Sequence, residues 1–163
     1  MTNFYLIWFV ATKLLFWSPF MVDGESMEPS FHSRELFVID RQVFRYGNLN
    51  RGDVIVFSLG QKVGGEEYFY IKRVIGLPGE MVKISGSNVY VKRPGDVEYI
   101  KLSEPYTNGQ VDYGDERYFL VPEGEYFVLG DNRDHSKDSR AFTYPYIKAE
   151  QIYGKYLWEL TVS

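Results

Sequence analysis

Residues 68–80 read YFYIKRVIGLPGE, an alternation of aromatic, aliphatic and basic side chains that ends in a Gly-Leu-Pro-Gly turn. Alternate side chains of a β-strand share a face, so Lys72 lies between Tyr70 and Val74 while Arg73 points the other way. Apolar neighbours disfavour the ammonium and lower the pKa of a lysine. A drop of ~2 units leaves a useful fraction of neutral amine near working pH. The run therefore predicts a strand whose lysine can act as a general base, although a lysine that protects a strand edge from aggregation gives the same pattern.

The rest of the chain beyond residue 22 has the same character, because short apolar runs alternate with Gly, Pro and Asp turns. Many short strands with frequent turns predict a mostly β domain over residues 23–163. Within it, the polar, turn-rich residues 85–125 are predicted to be a variable insertion. The predicted strands are 36–41, 53–58, 68–75, 81–84, 89–92, 118–121, 126–129 and 152–160.

The N-terminal segment is different, since residues 4–22 contain Lys13 as their one charged side chain. A 19-residue helix spans roughly 28 Å, about one hydrocarbon core. We therefore expect residues 1–22 to form one transmembrane anchor. Lys13, Pro19 and the absence of a basic residue before the run weaken this prediction. The alternative is a buried apolar helix of a soluble domain.

Composition narrows the classes of function. The 18 Lys and Arg residues against 22 Asp and Glu residues give a net charge of −4, which argues against nucleic-acid binding. Absence of cysteine excludes disulfides, zinc–thiolate sites and thiol catalysis, and two histidines argue against a multi-histidine metal site. The sequence therefore predicts neither a metal nor a cofactor. The 14 Tyr, 12 Phe and 3 Trp residues favour strands.

Residues 24–30, GESMEPS, place Ser26 two residues after a glycine and three before a proline. Gly24 allows close approach of another backbone, and Pro29 restricts the chain just after the serine. A serine becomes a nucleophile only with a base beside it. By itself the motif fits a surface-turn serine equally well.

Residues 130–140, GDNRDHSKDSR, form a cluster of charged side chains directly after an apolar run. Such a cluster is usually a solvated loop. A loop that follows a strand end is also held in place by that strand, and loops of this kind often carry function.

Four segments in this order resemble bacterial type I signal peptidases of the Gram-positive kind, the membrane-bound serine proteases of family S26. They are SMEPS (26–30), RGDVIVF (51–57), YIKRVIGLPGE (70–80) and GDNRDHSKDSR (130–140), which follow an N-terminal apolar run as in that family. The resemblance implies a mostly β signal-peptidase/LexA-like fold of several small antiparallel sheets with one N-terminal transmembrane helix.

The resemblance also implies roles for individual residues. Ser26 matches the nucleophile and Lys72 the general base of a Ser/Lys dyad. Ser136 matches a serine that hydrogen-bonds to the lysine and orients it. Asp138 matches an aspartate that supports its loop, with Arg140 and Arg73 expected as ion-pair partners.

Two more positions follow from the same resemblance. Met27 matches the residue that follows the nucleophile and packs beside the lysine. Gly24 stands where some members carry a serine that helps to hold the oxyanion, which leaves backbone N–H groups, chiefly that of Ser26, for this task.

The expected substrates are secretory precursors that bear a signal peptide with small residues at positions −1 and −3. An extended precursor segment is expected to add as a strand to the edges at 20–24 and 69–71. The family topology places the catalytic domain on the extracytoplasmic side of the cell membrane, above a single-pass anchor in the lipid bilayer. The predicted substrate-binding residues are Phe20, Met21, Val22, Asp23, Phe69, Tyr70 and Ile71.

Three alternatives remain open at this point. LexA-like self-cleaving repressors share the Ser/Lys chemistry and the fold, but they have a DNA-binding module in place of an anchor. Signal-peptidase-like chaperones of pilus assembly lack the dyad, whereas Ser26 and Lys72 are both present here. His135 could also serve as the base, as a histidine does in endoplasmic-reticulum signal peptidases, but there it occupies the position of the lysine.

Overall fold

A computed structural model describes residues 16–43, 49–108 and 115–160. The described residues form eleven strands and a short 3₁₀ helix, Ala149–Gln151. The prediction of a mostly β domain is therefore confirmed, and each predicted strand overlaps an observed one. The strands are β1 (Trp17–Met21), β2 (Leu36–Asp40), β3 (Val54–Val63), β4 (Glu66–Gly76), β5 (Met81–Ser85), β6 (Asn88–Lys92), β7 (Ile100–Lys101), β8 (Arg117–Leu120), β9 (Glu125–Leu129), β10 (Ile147–Lys148) and β11 (Ile152–Glu159).

The larger of two antiparallel sheets has seven strands in the order β1-β2-β11-β3-β4-β9-β10. Its centre is the β3–β4 hairpin, in which Ile55 pairs with Lys72 and Phe57 with Tyr70. The predicted alternation along this hairpin is confirmed, because its two faces bury different side chains. One face contributes to a cluster with Ile55, Phe57, Tyr70 and Val74, and the other to a cluster with Val54, Val56, Phe69 and Ile71.

The smaller sheet has four strands in the order β7-β6-β5-β8. Alternate apolar residues of β5 and β6, such as Val82 and Val91, are buried against Phe127 of β9, so the two sheets share an apolar contact. In the chain, this sheet begins with β5 at Met81, before residue 85, where the predicted insertion starts. The first strand of the sheet, β5, therefore comes just after the Gly-Leu-Pro-Gly turn, and the predicted insertion follows that strand.

The predicted anchor helix is wrong at its C-terminal end, because Trp17–Met21 is a β-strand. This strand pairs with β2, from Trp17 opposite Asp40 to Met21 opposite Leu36. Pro19 cannot donate a hydrogen bond inside a helix, whereas a strand at the edge of a sheet tolerates proline. Residues 4–15 of the predicted anchor lie outside the described residues. Among the residues that are described, no helix is long and apolar enough to cross a membrane.

Candidate active site

Ser26 lies in the loop between β1 and β2, with its side chain facing the β4 edge. Its Oγ is 2.5 Å from Nζ of Lys72. The next residue, Met27, is fully buried in the apolar cluster that also contains Val22 and Phe31, and this burial fixes the loop that carries the serine. The structure therefore brings together two residues that stand 46 positions apart in the sequence.

Lys72 is buried, with 3% of its surface exposed, and its Nζ also donates a hydrogen bond of 2.7 Å to the carbonyl oxygen of Ile71. Burial lowers the pKa of Lys72 from 10.5 to about 8, while the nearby carboxylates of Asp138 and Asp131 act in the opposite direction. Desolvation dominates because the ammonium loses its water without gaining a direct carboxylate partner. A substantial fraction of this lysine is therefore neutral under mildly alkaline conditions, as the sequence predicts.

The pH dependence of peptide cleavage should follow this pKa. The neutral amine is the form that accepts a proton, so kcat/KM should rise about tenfold per pH unit below the Lys72 pKa and level off above it. At pH 6 it should be about 1% of the alkaline plateau. The measurement is kcat/KM for a short peptide in detergent between about pH 6 and 10. A maximum near pH 6 with a fall above 7 would assign the base to a histidine instead.

The loop after β9, residues 130–140, holds the backbone on both sides of the serine nucleophile candidate. The N–H of Asn132 donates to the carbonyl oxygen of Ser26 at 3.1 Å, and its side-chain amide donates to the carbonyl of Glu25 at 3.1 Å. Gly130 is packed closely here, because a Cβ at this position would lie 2.4 Å from the Ser26 carbonyl oxygen. Sequence reasoning missed Asn132, although its place in a Gly-Asp-Asn turn after a strand was the available signal.

Ser136 does not make the predicted hydrogen bond to Lys72. Its Oγ is buried and has no hydrogen-bond partner among the described residues. The Lys72 amine hydrogen-bonds to Ser26 and to the Ile71 carbonyl instead. Ser136 packs against the Cα of Gly130, at which an added Cβ would lie 2.1 Å from its Oγ.

Two buried ion pairs stabilise the 130–140 loop. Asp138 is fully buried and pairs with Arg140, whose Nη2 and Nε are each 2.7 Å from its carboxylate oxygens, and it accepts the N–H of Gly130 at 2.9 Å. The expected pairing of Asp138 with Arg73 is wrong, since Arg73 pairs with Asp131 at 2.5 and 2.8 Å. The reason is strand alternation: Arg73 leaves β4 on the face opposite Lys72.

Residues of the predicted insertion also contact this loop, and the sequence analysis did not identify them. Glu104 forms an ion pair of 2.6 Å with Arg133, and the Tyr106 ring lies 4.0 Å below the Arg73 guanidinium. The backbone of Asn108 exchanges hydrogen bonds of 2.9 Å with residues 131 and 133. The insertion thus positions the loop that holds the Ser26 backbone.

A cleft opens beside Ser26 and Lys72, between the β1 end and the β4 edge. Phe20 and Phe69 meet across it with ring centroids 5.5 Å apart. All seven predicted substrate-binding residues line it: Phe20, Met21, Val22, Asp23, Phe69, Tyr70 and Ile71. The structure therefore joins, at one site, the residues predicted for substrate binding and those predicted for catalysis.

Two further candidates lie at the margin of the site. Gly24 is exposed with a φ of 100°, in the left-handed region that favours glycine, and has open space where a side chain would be. His135 is exposed, and its backbone N–H bonds to the carbonyl of Asn132. The side chain of Ser26 is therefore hydrogen-bonded to Lys72 and not to His135.

A family model described as "Signal peptidase, peptidase S26" matches residues 1–160. The chain belongs to the signal peptidase family, peptidase S26. It is accordingly a serine endopeptidase, a hydrolase of peptide bonds, and the resemblance noted in the sequence is confirmed.

Two relatives illustrate the similarity to other S26 peptidases. Signal peptidase I of Bacillus amyloliquefaciens is 35% identical over 140 residues, which cover 80% of this chain and 69% of the relative. Signal peptidase IB of Staphylococcus aureus (strain COL) is 32% identical over 168 residues, covering 93% of this chain and 81% of the relative.

The fold also matches that of an S26 peptidase. The crystal structure of a signal peptidase I from Enterococcus faecalis V583 superimposes with a TM-score of 0.50 at 30% identity. The match covers 67% of this chain and 97% of the other. The antiparallel β architecture is thus that of signal peptidase I.

Proposed function

We propose that this chain is a membrane-bound endopeptidase that removes N-terminal signal peptides from exported precursor proteins by means of a Ser26/Lys72 dyad. The observation that carries the proposal is the 2.5 Å contact between Ser26 Oγ and a buried lysine whose pKa is lowered to about 8. The relatives named signal peptidase I supply the substrate class.

The chemistry follows from the two side chains. Neutral Lys72 takes the proton of Ser26, and Oγ attacks the scissile carbonyl carbon. Backbone N–H groups, chiefly that of Ser26, stabilise the oxyanion. The Lys72 ammonium then gives its proton to the leaving amine as the peptide bond breaks and an ester forms on Ser26. Lys72 next accepts a proton from the water that attacks the ester. As the signal peptide leaves as a carboxylic acid, Lys72 returns that proton to Oγ, which restores Ser26 and the neutral amine.

The substrate is expected to bind as an added strand at the free edge of β4. Strand β9 pairs with β4 only from Arg73 onward, so no strand among the described residues covers positions 69–71 on that side. Val74 directs its N–H and carbonyl to residues just before β3, at 2.8 Å each. Alternation then directs the backbone groups of Ile71 and Phe69 to the open side. A precursor segment can hydrogen-bond there in extended form.

The shape of the cleft supports small residues at positions −1 and −3. In an extended strand these two side chains point the same way, and here they would enter the cleft between Phe20 and Phe69. Its walls are apolar, with Val22 and Phe37 buried behind them. Little space is therefore left for large or charged side chains.

A synthetic precursor tests the proposed function directly. We expect cleavage in detergent at one bond, after Ala at −1 with Ala at −3, with products identified by mass spectrometry. Replacing the −3 Ala by Asp should reduce kcat/KM at least ~100-fold, because a buried carboxylate without a partner is costly. Equal cleavage of both peptides, or cleavage at scattered bonds, would contradict the proposal.

For the bilayer, we propose that the apolar N-terminal residues 4–15, directly before β1, tether the domain on the extracytoplasmic side. Trp17 packs edge-to-face on Trp158 with ring centroids 4.9 Å apart, and Trp158 and Met21 are exposed nearby. Aromatic side chains of this kind favour the membrane–water interface. The proposed tether is therefore connected to the domain through β1, whose C-terminal residues Phe20 and Met21 line the cleft.

Deleting residues 1–15, which leaves β1 intact, tests the tether. The deletion variant should still cleave short peptides at near wild-type rates. Its cleavage of precursors inserted in vesicles should fall about tenfold or more, because the tether raises the effective concentration of enzyme at the bilayer. Co-sedimentation with liposomes measures the binding. Equal partitioning of both forms into the soluble fraction would show that the N-terminal run is no membrane tether.

A further inference from the structure

A second cleft lies on the opposite face of the β3–β4 hairpin from the first. Leu59 and Phe142, in its wall, pack against the cluster of Phe57 and Tyr70, whereas the apolar wall of the first cleft, with Phe20 and Phe69, belongs to the cluster on the other face. The mechanism proposed above uses none of the residues that line this second cleft. It is therefore a surface beside the catalytic centre without an assigned role.

Tyr70 separates the two clefts and contacts both. It lines the first cleft, while its hydroxyl donates to Gln61 Oε1 at 2.9 Å and its ring packs on Phe142 at 5.5 Å. At the other end of the second cleft is Lys137, the residue after Ser136. Ser136 Oγ packs against Gly130, and Gly130 also packs against the carbonyl oxygen of Ser26. The second cleft thus extends from Lys137 of the 130–140 loop to Leu59 and Gln61 of β3, next to Tyr70.

The geometry of an added strand fixes which substrate side chain can reach this cleft. If the −1 and −3 side chains enter the first cleft, the −2 side chain points to the opposite face of the sheet. That face carries Tyr70 and Lys72 on β4, with Gln61 and Lys137 alongside. The −2 side chain is therefore directed toward the second cleft.

The polar groups of the second cleft are mainly donors. Lys137 is exposed and is the one charged residue among those that line it. The Gln61 oxygen already accepts from Tyr70, so its NH₂ group is left to donate. Glu125 accepts the Tyr144 hydroxyl at 2.6 Å, and Asp138, the residue after Lys137, is paired with Arg140. These groups suit a side chain that accepts hydrogen bonds and carries negative charge.

We infer that the second cleft is a subsite for the −2 residue of the precursor and that Lys137 gives it a preference for Glu or Gln over Lys. The inference rests on the proposed function and deepens it by adding a specificity determinant. Lys137 acts on the substrate side chain and takes no part in proton transfer.

The test uses two peptides that differ only at −2, Glu in one and Lys in the other. For the wild type in low salt, kcat/KM should favour the Glu peptide about fivefold, since one exposed charge attracts the first and repels the second. Lys137→Glu should reverse the order, and Lys137→Arg should keep it. Because both peptides meet the same enzyme, any effect of the substitution on Lys72 cancels in the ratio.

Lys101→Glu is the matched control, because it changes the net charge by the same amount. Lys101 is exposed on β7 and lies outside both clefts. It should leave the ratio at its wild-type value. The ratio should also approach one in about 1 M salt, which screens exposed charges. An unchanged ratio in Lys137→Glu would overturn the −2 subsite alone. Failure of the wild type to cleave either peptide or its −2 Ala counterpart would overturn the proposed function instead.

Discussion

Ser26→Ala and Lys72→Met are each expected to reduce kcat for precursor cleavage by ~10⁴-fold or more. Without its hydroxyl the first variant has no nucleophile, and without an amine the second has no group to take the serine proton. The Oγ–Nζ distance of 2.5 Å makes the two side chains one unit. The kcat of the double variant should therefore be within a small factor of the kcat of either single variant.

Stability measurements separate this chemical effect from unfolding. Lys72 is buried among apolar side chains, so Met, which has nearly its length and no charge, should preserve the packing and leave Tm unchanged or higher. Ser26→Ala removes a single oxygen and should shift Tm little. Ser87→Ala, at the exposed turn between β5 and β6, is a matched control that should retain full activity. Cleavage well above background in either folded dyad variant would rule out the Ser/Lys mechanism.

The sequence predicted which way the side chains of β4 point because the relevant information is local. Alternation alone places Lys72 between Tyr70 and Val74 and directs Arg73 to the other face, and the structure has both features. Which aspartate pairs with Arg73, however, depends on residues that are distant in the sequence. Arg73 pairs with Asp131 and not Asp138 because loop 130–140 folds around Gly130, which brings Asp131 to the Arg73 face and buries Asp138 beside Arg140.

For the N-terminal segment, amino-acid composition alone does not determine the secondary structure. An apolar, aromatic run fits a membrane helix and an edge strand equally well by hydropathy, and only pairing with β2 decides for Trp17–Met21. Pro19 was the local signal for the strand. The contacts of Glu104, Tyr106 and Asn108 with the 130–140 loop could not be read from the sequence, because they depend on how the smaller sheet packs against the larger one.

Gly130→Ala should reduce kcat/KM about 100-fold or more while the chain remains folded. A Cβ there would lie 2.1 Å from Ser136 Oγ, 2.4 Å from the Ser26 carbonyl oxygen and 2.5 Å from Ser136 Cβ. Real Cβ atoms do not approach other heavy atoms so closely, so the loop must move away from the serine. The Ser26 backbone would move with it, because the Asn132 N–H bonds to the same carbonyl. A shift of about 1 Å in a catalytic group can cost ~10²-fold in rate.

Gly154→Ala provides the matched steric control, since a Cβ there would lie 2.8 Å from the Asp40 carbonyl oxygen and from Ile39 Cδ1, between β2 and β11. Both variants should lose stability through crowding. Only Gly130→Ala should lose activity measured below its Tm, and its loss should appear in kcat because the substrate cleft is lined by other residues. Equal kcat for the two variants, at equal Tm, would show that Gly130 serves folding alone and that the 130–140 loop does not set the position of Ser26.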